Sequence, residues 1–177
     1  MQINKCKIPD VKLISNDSFN DSRGRFIESY KQSLYKKNEI LSLFVQDNFV
    51  YSKKNVLRGL HFQKKYPQGK LVSAIYGEIF DVAVDIRQES KYYGHWVGEV
   101  LSETNCNQLY IPAGFAHGYC VLSEIAIVVY KCTEYYKPED QYGIIWNDKD
   151  INITWPIDNP ILSQKDSKLL PLNMLKE

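Results

Sequence analysis

The chain has 177 residues, 44% of them hydrophobic and 24% charged, with a formal net charge of +1. That length suits a single domain, residues 1–177, with a full-sized core, and the composition excludes a disordered tail. The near-neutral balance excludes nucleic-acid binding through a broad positive surface, although a few arginines can still build a local anion site. Met1-Gln2-Ile3-Asn4-Lys5-Cys6 lacks the apolar run of a secretory signal, and no stretch reaches the length of a membrane-spanning helix. The expected compartment is therefore the cytoplasm, with no membrane partner. Cys6, Cys106, Cys120 and Cys132 form no C-x-x-C pair and are expected as free thiols. Cys120 and Cys132 lie in apolar runs and are expected in the core.

Strand patterns dominate the chain in order. Aromatic and β-branched runs occur at 25–30, 43–51, 56–62 and 70–76. Residues 79–86 alternate, with Phe80, Val82 and Val84 on one face. Further runs at 96–101 and 125–132 complete the main set. Turn chemistry separates them at Tyr76-Gly77, Asn105-Cys106-Asn107 and Pro112-Ala113-Gly114. One helix is expected over about 32–41, and a short one from about 163, where Ser163 can cap it. Many short strands at close spacing predict an all-β antiparallel sandwich, jelly roll or barrel with a few short helices.

The segment Val56-Leu57-Arg58-Gly59-Leu60-His61-Phe62-Gln63 places a fixed cation and a near-neutral titratable group around one glycine. Arginine suits bidentate phosphate binding, and histidine exchanges a proton near neutral pH. Together they suggest an enzyme acting on a phosphorylated or nucleotide-linked substrate; the plain alternative is a strand carrying two polar residues. In a regular strand Arg58 and His61 point to opposite faces, so the enzymatic reading predicts a bulge at Gly59. Gln46 and Asn48 share one strand face. His117 sits between Gly114 and Gly118 and reads by itself as a turn histidine; His95 is given no role. No His-x-His pair occurs, so no metal site is expected.

Several ordered segments carry a resemblance. They are Asp21-Ser22-Arg23-Gly24-Arg25-Phe26-Ile27-Glu28, Gln46-Asp47-Asn48, Leu57-Arg58-Gly59-Leu60-His61-Phe62-Gln63, Gln68-Gly69-Lys70-Leu71-Val72, Ile111-Pro112-Ala113-Gly114-Phe115-Ala116-His117-Gly118, Tyr130-Lys131-Cys132-Thr133 and Leu162-Ser163-Gln164-Lys165-Asp166. Together they resemble the dTDP-4-dehydrorhamnose 3,5-epimerase family. The resemblance implies a cupin-type jelly roll that works as a homodimer on a dTDP-sugar, without metal or organic cofactor. It implies that His61 is the general base, oriented by Asp166, and that Tyr130 is the acid on the opposite face of the sugar. It places Lys70 and His117 near the sugar. Arg23, Glu28, Gln46, Asp47, Asn48, Arg58 and Lys165 would hold the nucleotide and its phosphates, with Tyr136 stacked on the base. Gln141 stands near the nucleotide where the family often has a glutamate, a departure that bears on base or nucleotide preference.

The implied reaction converts dTDP-4-dehydro-6-deoxy-D-glucose to dTDP-4-dehydro-L-rhamnose. The C3 and C5 hydrogens both flank the C4 ketone, so removing either gives an enolate. A histidine base, a carboxylate that fixes its tautomer and a cation facing the oxyanion fit that step. Alternatives are an epimerase inverting C3 alone, one acting on a CDP- or GDP-linked ketosugar, a cupin that only binds a sugar nucleotide, and a metal-dependent cupin.

Overall fold

The computed structural model describes residues 1–175. Strands β1 (Gln2–Lys5), β2 (Lys12–Ser15), β10 (Asn107–Ile111), β7 (Lys70–Tyr76), β12 (Ile125–Cys132) and β5 (Gln46–Lys53) form a six-stranded sheet in that spatial order. A second sheet has the order β13 (Gln141–Gly143), β6 (Leu57–Gln63), β11 (Phe115–Val121), β8 (Glu78–Asp85) and β9 (Trp96–Ser102). Strands β3 (Ser18–Asp21) and β4 (Gly24–Ile27) make a separate hairpin. Every strand-to-strand ladder is antiparallel. The expected jelly-roll sandwich is the fold.

The main core lies between the sheets. Val72 and Ala74 from β7, Ala126 and Val128 from β12, Ile79 and Ala83 from β8, and Val121 from β11 meet there. Each is at most 5% exposed, so this layer supplies the bulk of the hydrophobic stabilisation. The alternation read over 79–86 is correct in parity. Phe80, Val82 and Val84 nevertheless face away from the inter-sheet core. They pack instead against Leu60, Ile144, Ile151 and Trp155 in a second cluster, so the C-terminal segment covers the outer face of that sheet. Both faces of β8 are buried as a result.

The helix α1 (Gln32–Lys37) is shorter than expected. Asn38 caps it and donates from its side chain to the Leu34 carbonyl at 2.9 Å, while Glu39 takes φ 65°. The Ile40 N–H then returns to the Tyr35 carbonyl at 3.0 Å, a bond that stops the helix by the left-handed route. With Tyr35 and Ile40, α1 covers Leu71, Tyr110 and Ile14 on the outer face of the six-stranded sheet. The rest of that face stays open: Phe49 is 64% exposed, Tyr51 51% and Ile75 54%.

The tail differs from expectation as well. A single 3-10 turn, Asp166–Lys168, replaces the helix from 163. Ser163 is not its cap, since Lys165 holds that place without a side-chain bond, but the Ser163 hydroxyl accepts the Asp166 N–H at 3.0 Å. All four cysteines are free, with Cys120 and Cys132 buried. No helix among the described residues is long and apolar enough to cross a membrane.

Candidate active site

The local design of β6 decides where its polar residues point. Its ladder with β11 pairs His61 with His117 and Arg58 with Tyr119. Two residues thus separate the paired positions on β6 and only one on β11. The extra residue is the bulge expected at Gly59, and it lets Arg58 and His61 line the same cavity. Gly59 has φ +120°, and a Cβ there would lie 2.6 Å from the Gly118 Cα and 2.7 Å from the His117 carbonyl oxygen. Only glycine permits that backbone path beside β11.

The cavity has two lobes, of about 310 and 240 Å³. Both are lined by His61, Lys70, Tyr130 and Gln141. Gln46, Asn48, Phe62, Gln63, Gln68 and Tyr136 complete the first lobe; Arg58, His117, Lys165 and Asp166 belong to the second. His61 and His117 come from one sheet, and Lys70 and Tyr130 from the other. The sandwich therefore holds them on facing walls. A larger groove of about 840 Å³ lies elsewhere, beside Trp96 and His95. His95 there is exposed, and among the described residues no carboxylate pairs with it.

His61 Nε2 lies 2.6 Å from Asp166 Oδ1. Asp166 is 4% exposed, and its Oδ2 accepts the Gly59 N–H at 3.5 Å. Burial alone would raise its carboxyl, but the hydrogen bond and charge of His61, with the Gly59 N–H, hold it below the ordinary carboxylate range. Donation from Nε2–H to this carboxylate leaves Nδ1 as the lone-pair nitrogen of the ring. A second pair stands beside it. His117 Nε2 lies 2.7 Å from Asp81 Oδ1, and His117 Nδ1 lies 3.5 Å from Lys70 Nζ. Burial lowers the His117 pKa, with Asp81 opposing and Lys70 reinforcing that shift. Burial lowers that of Lys70 as well, while Cys132 and Asp81 oppose it. Burial, then Cys132 and Tyr119, push the Tyr130 phenol up to about 12, so it keeps its proton at neutral pH. Lys70 Nζ stands 5.9 Å from the Tyr130 ring centroid.

Eleven of the fourteen residues singled out from the sequence line this cavity: His61, Tyr130, Asp166, Gln46, Asn48, Arg58, Lys70, His117, Tyr136, Gln141 and Lys165. Three lie outside it. Asp47 projects to the opposite face of β5 from Gln46 and Asn48 and binds Lys131 at 2.9 Å. Arg23 sits at the exposed hairpin tip with Asp21, and Glu28 pairs with Lys31 at 3.7 Å. His117 is no turn histidine: it lies in the middle of β11, 6% exposed. Asp81 and Tyr119 were missed. Parity could have found both, because Asp81 shares a face with Ala83, and Tyr119 shares one with His117.

The sequence profile described as dTDP-4-dehydrorhamnose 3,5-epimerase matches residues 5–174. The protein of that name from Shigella flexneri is 51% identical over 94% of this chain and 93% of its own. The one from Escherichia coli is 51% identical over 99% and 96%. A longer relative from Neisseria gonorrhoeae is also 51% identical, and the chain spans 51% of its length. Among solved structures, the dTDP-6-deoxy-D-glucose-3,5-epimerase of Legionella pneumophila, in complex with dTDP-4-keto-L-rhamnose, superposes with a TM-score of 0.97 at 46% identity, covering 99% of this chain and 94% of that one. A dTDP-4-dehydrorhamnose 3-epimerase from Streptomyces niveus is more distant, 32% identical over 97% of this chain and 84% of its own. A nucleotide-sugar epimerase with a histidine–aspartate pair facing a half-buried tyrosine across a jelly roll, the chain belongs to the dTDP-4-dehydrorhamnose 3,5-epimerase family.

Proposed function

We propose that the protein inverts C3 and C5 of dTDP-4-dehydro-6-deoxy-D-glucose, giving dTDP-4-dehydro-L-rhamnose. The observation that carries this is the placement of the His61–Asp166 pair and Tyr130 on facing sheets around one cavity. His61, through Nδ1, takes the proton next to the C4 ketone. Asp166 holds the ring and stabilises the imidazolium that forms. The electrons move to the ketone oxygen as an enolate, and Lys70, steadied by His117, faces that oxyanion. Tyr130 then returns a proton from the opposite face. Its phenol is protonated at working pH, and the enolate carbon is a stronger base than the phenolate that forms, so the proton moves to carbon. The scheme contains no redox step and calls on no metal or organic cofactor.

Arg58 and Lys165 supply positive charge for the diphosphate, Gln46 and Asn48 supply amides, and Tyr136 supplies a ring for the base. Arg23 and Glu28 lie outside the cavity of their own chain, and this favours a homodimer in which the hairpin reaches the partner's site. Two surfaces support it. The hairpin exposes Phe19 at 63% and Phe26 at 66%, and a lone two-stranded ribbon is marginal without cover. The open apolar face of the six-stranded sheet is the second surface. The four unpaired thiols favour the cytoplasm.

Incubation with the dTDP-ketosugar in heavy water, read by mass and proton NMR, tests the reaction. Deuterium at both C3 and C5 is the expected result. Label at C3 alone would establish the single-site epimerase, and no label would send the same assay to CDP- and GDP-linked ketosugars. Light scattering checks the dimer: a mass of one chain, about 20.6 kDa, would refute it.

A further inference from the structure

Val50 differs in kind from the other side chains of the cavity. Among the described lining residues of both lobes it is the one aliphatic hydrocarbon side chain. It belongs to β5, where Gln46, Asn48, Val50 and Ser52 share the inward face and Asp47, Phe49 and Tyr51 are exposed on the other. Valine is branched at Cβ and stiff at χ1, so the strand presents its methyls as a fixed wall. Strand β12 holds that wall in place, with Val50 opposite Val128 in the ladder.

Ser52, next on the same face, is buried and accepts the Arg58 Nε–H at 3.0 Å. The Tyr119 hydroxyl, which comes from the facing sheet, is fully buried. Neither is free to serve a hydroxyl arriving at Val50. The substrate proposed above carries one apolar appendage, the C6 methyl, bonded directly to C5. Inversion at C5 requires that carbon to lie between His61 and Tyr130, which line both lobes from opposite sheets. The methyl is one bond away and falls inside the same cavity, where Val50 supplies the aliphatic surface.

We propose that Val50 is a specificity-determining residue that receives the C6 methyl and so selects 6-deoxy sugars over their 6-hydroxy counterparts. This deepens the function proposed above and rests on it. Contact between the methyl and Val50 removes apolar surface from water on both sides. A C6 hydroxyl in the same place would give up its hydration and meet a side chain with no hydrogen-bonding atom, which costs free energy. Threonine at 50 would keep the branched shape and the strand preference while adding a hydroxyl. Alanine would withdraw the wall and leave space.

The test is calorimetric titration of the full chain with dTDP, dTDP-6-deoxy-D-glucose and dTDP-D-glucose. The two sugars differ by one hydroxyl at C6, and neither has the ketone, so neither turns over. Wild type is expected to bind the 6-deoxy sugar about tenfold more tightly, less than a wholly hydrophobic pocket achieves against an added hydroxyl, because one side chain makes the selection. Val50→Thr is expected to cut that preference to about twofold or less. Val50→Ala is expected to bind the 6-deoxy sugar several-fold more weakly, and both variants to keep the wild-type affinity for dTDP. Equal affinity of wild type for the two sugar nucleotides would overturn this inference alone, as would an unchanged preference in Val50→Thr. A matching loss of dTDP affinity in both variants would place Val50 at the nucleotide and overturn it too. A wild-type protein that binds neither sugar nucleotide would overturn the inference together with the substrate proposed above.

Discussion

Replacing Asp166 with asparagine keeps the size of the side chain and removes its charge. In the wild-type cavity His61 Nε2 lies 2.6 Å from Asp166 Oδ1, and Asp166 is 4% exposed. Once His61 has taken a proton, an imidazolium faces a carboxylate. With charge centres about 4 Å apart and an effective permittivity near 20, that attraction is about 4 kcal/mol. Its loss corresponds to roughly a thousandfold in rate. The amide also can donate to Nε2, which would favour the tautomer with its proton on Nδ1 and remove the free base. We therefore expect kcat and the solvent exchange of the C3 and C5 hydrogens to fall together by a factor of about 10² to 10⁴. Affinity for dTDP is expected to stay within a few-fold, because Asp166 is spent on His61. Proton NMR exchange rates and calorimetry on the same preparations separate the two effects. A fall below tenfold in a folded variant would refute the role assigned to the pair. The acid side gives an independent check. The folded Asp166 pKa is lowered, so its stabilisation is present above the unfolded value near 4 and is lost as pH falls through the folded value. The stability gap between wild type and Asp166→Asn should close in that window.

Tyr130→Phe is expected to retain deuterium incorporation next to the ketone while losing most inverted product; normal epimer yield would remove Tyr130 from the acid's role. Gly59→Ala is expected to destabilise by roughly 2–4 kcal/mol, since the new Cβ meets β11 backbone at 2.6 Å under a positive φ. An unchanged denaturation midpoint would refute that reading of the bulge. His117 has a lowered pKa from burial, so the unfolded chain takes up a proton near pH 6.5 that the folded chain does not. Wild type should therefore lose stability as pH falls below about 6.5, and His117→Gln should lose less over the same range; identical urea midpoint shifts between pH 7.5 and 5.5 would contradict it.

The sequence by itself determined the class of fold and most of the side chains that line the cavity. Alternation over 79–86, frequent turns and apolar runs dictate antiparallel strands. The parity of Gln46 and Asn48 puts both amides in the cavity and leaves Asp47 outside. The glycine between Arg58 and His61 foretold the extra residue that aims both inward. Tertiary structure decided what covers each face and which distant residues meet. Periodicity shows which residues share a side, but not what lies against it. Phe80, Val82 and Val84 were legible as one face, yet only the folded C-terminal segment shows that they lie outside the inter-sheet core. His117 sits in a segment whose glycines read as a turn, and pairing with β6 and β8 made that segment a buried strand. Asp166 stands 105 residues from His61 along the chain and reaches it because the tail packs back over β6. Arg23 and Glu28 mark the opposite limit, since the hairpin that carries Arg23 and ends just before Glu28 has no sheet neighbour among the described residues. Local pattern is set by backbone geometry over a few residues, whereas the cavity is set by long-range packing of two sheets.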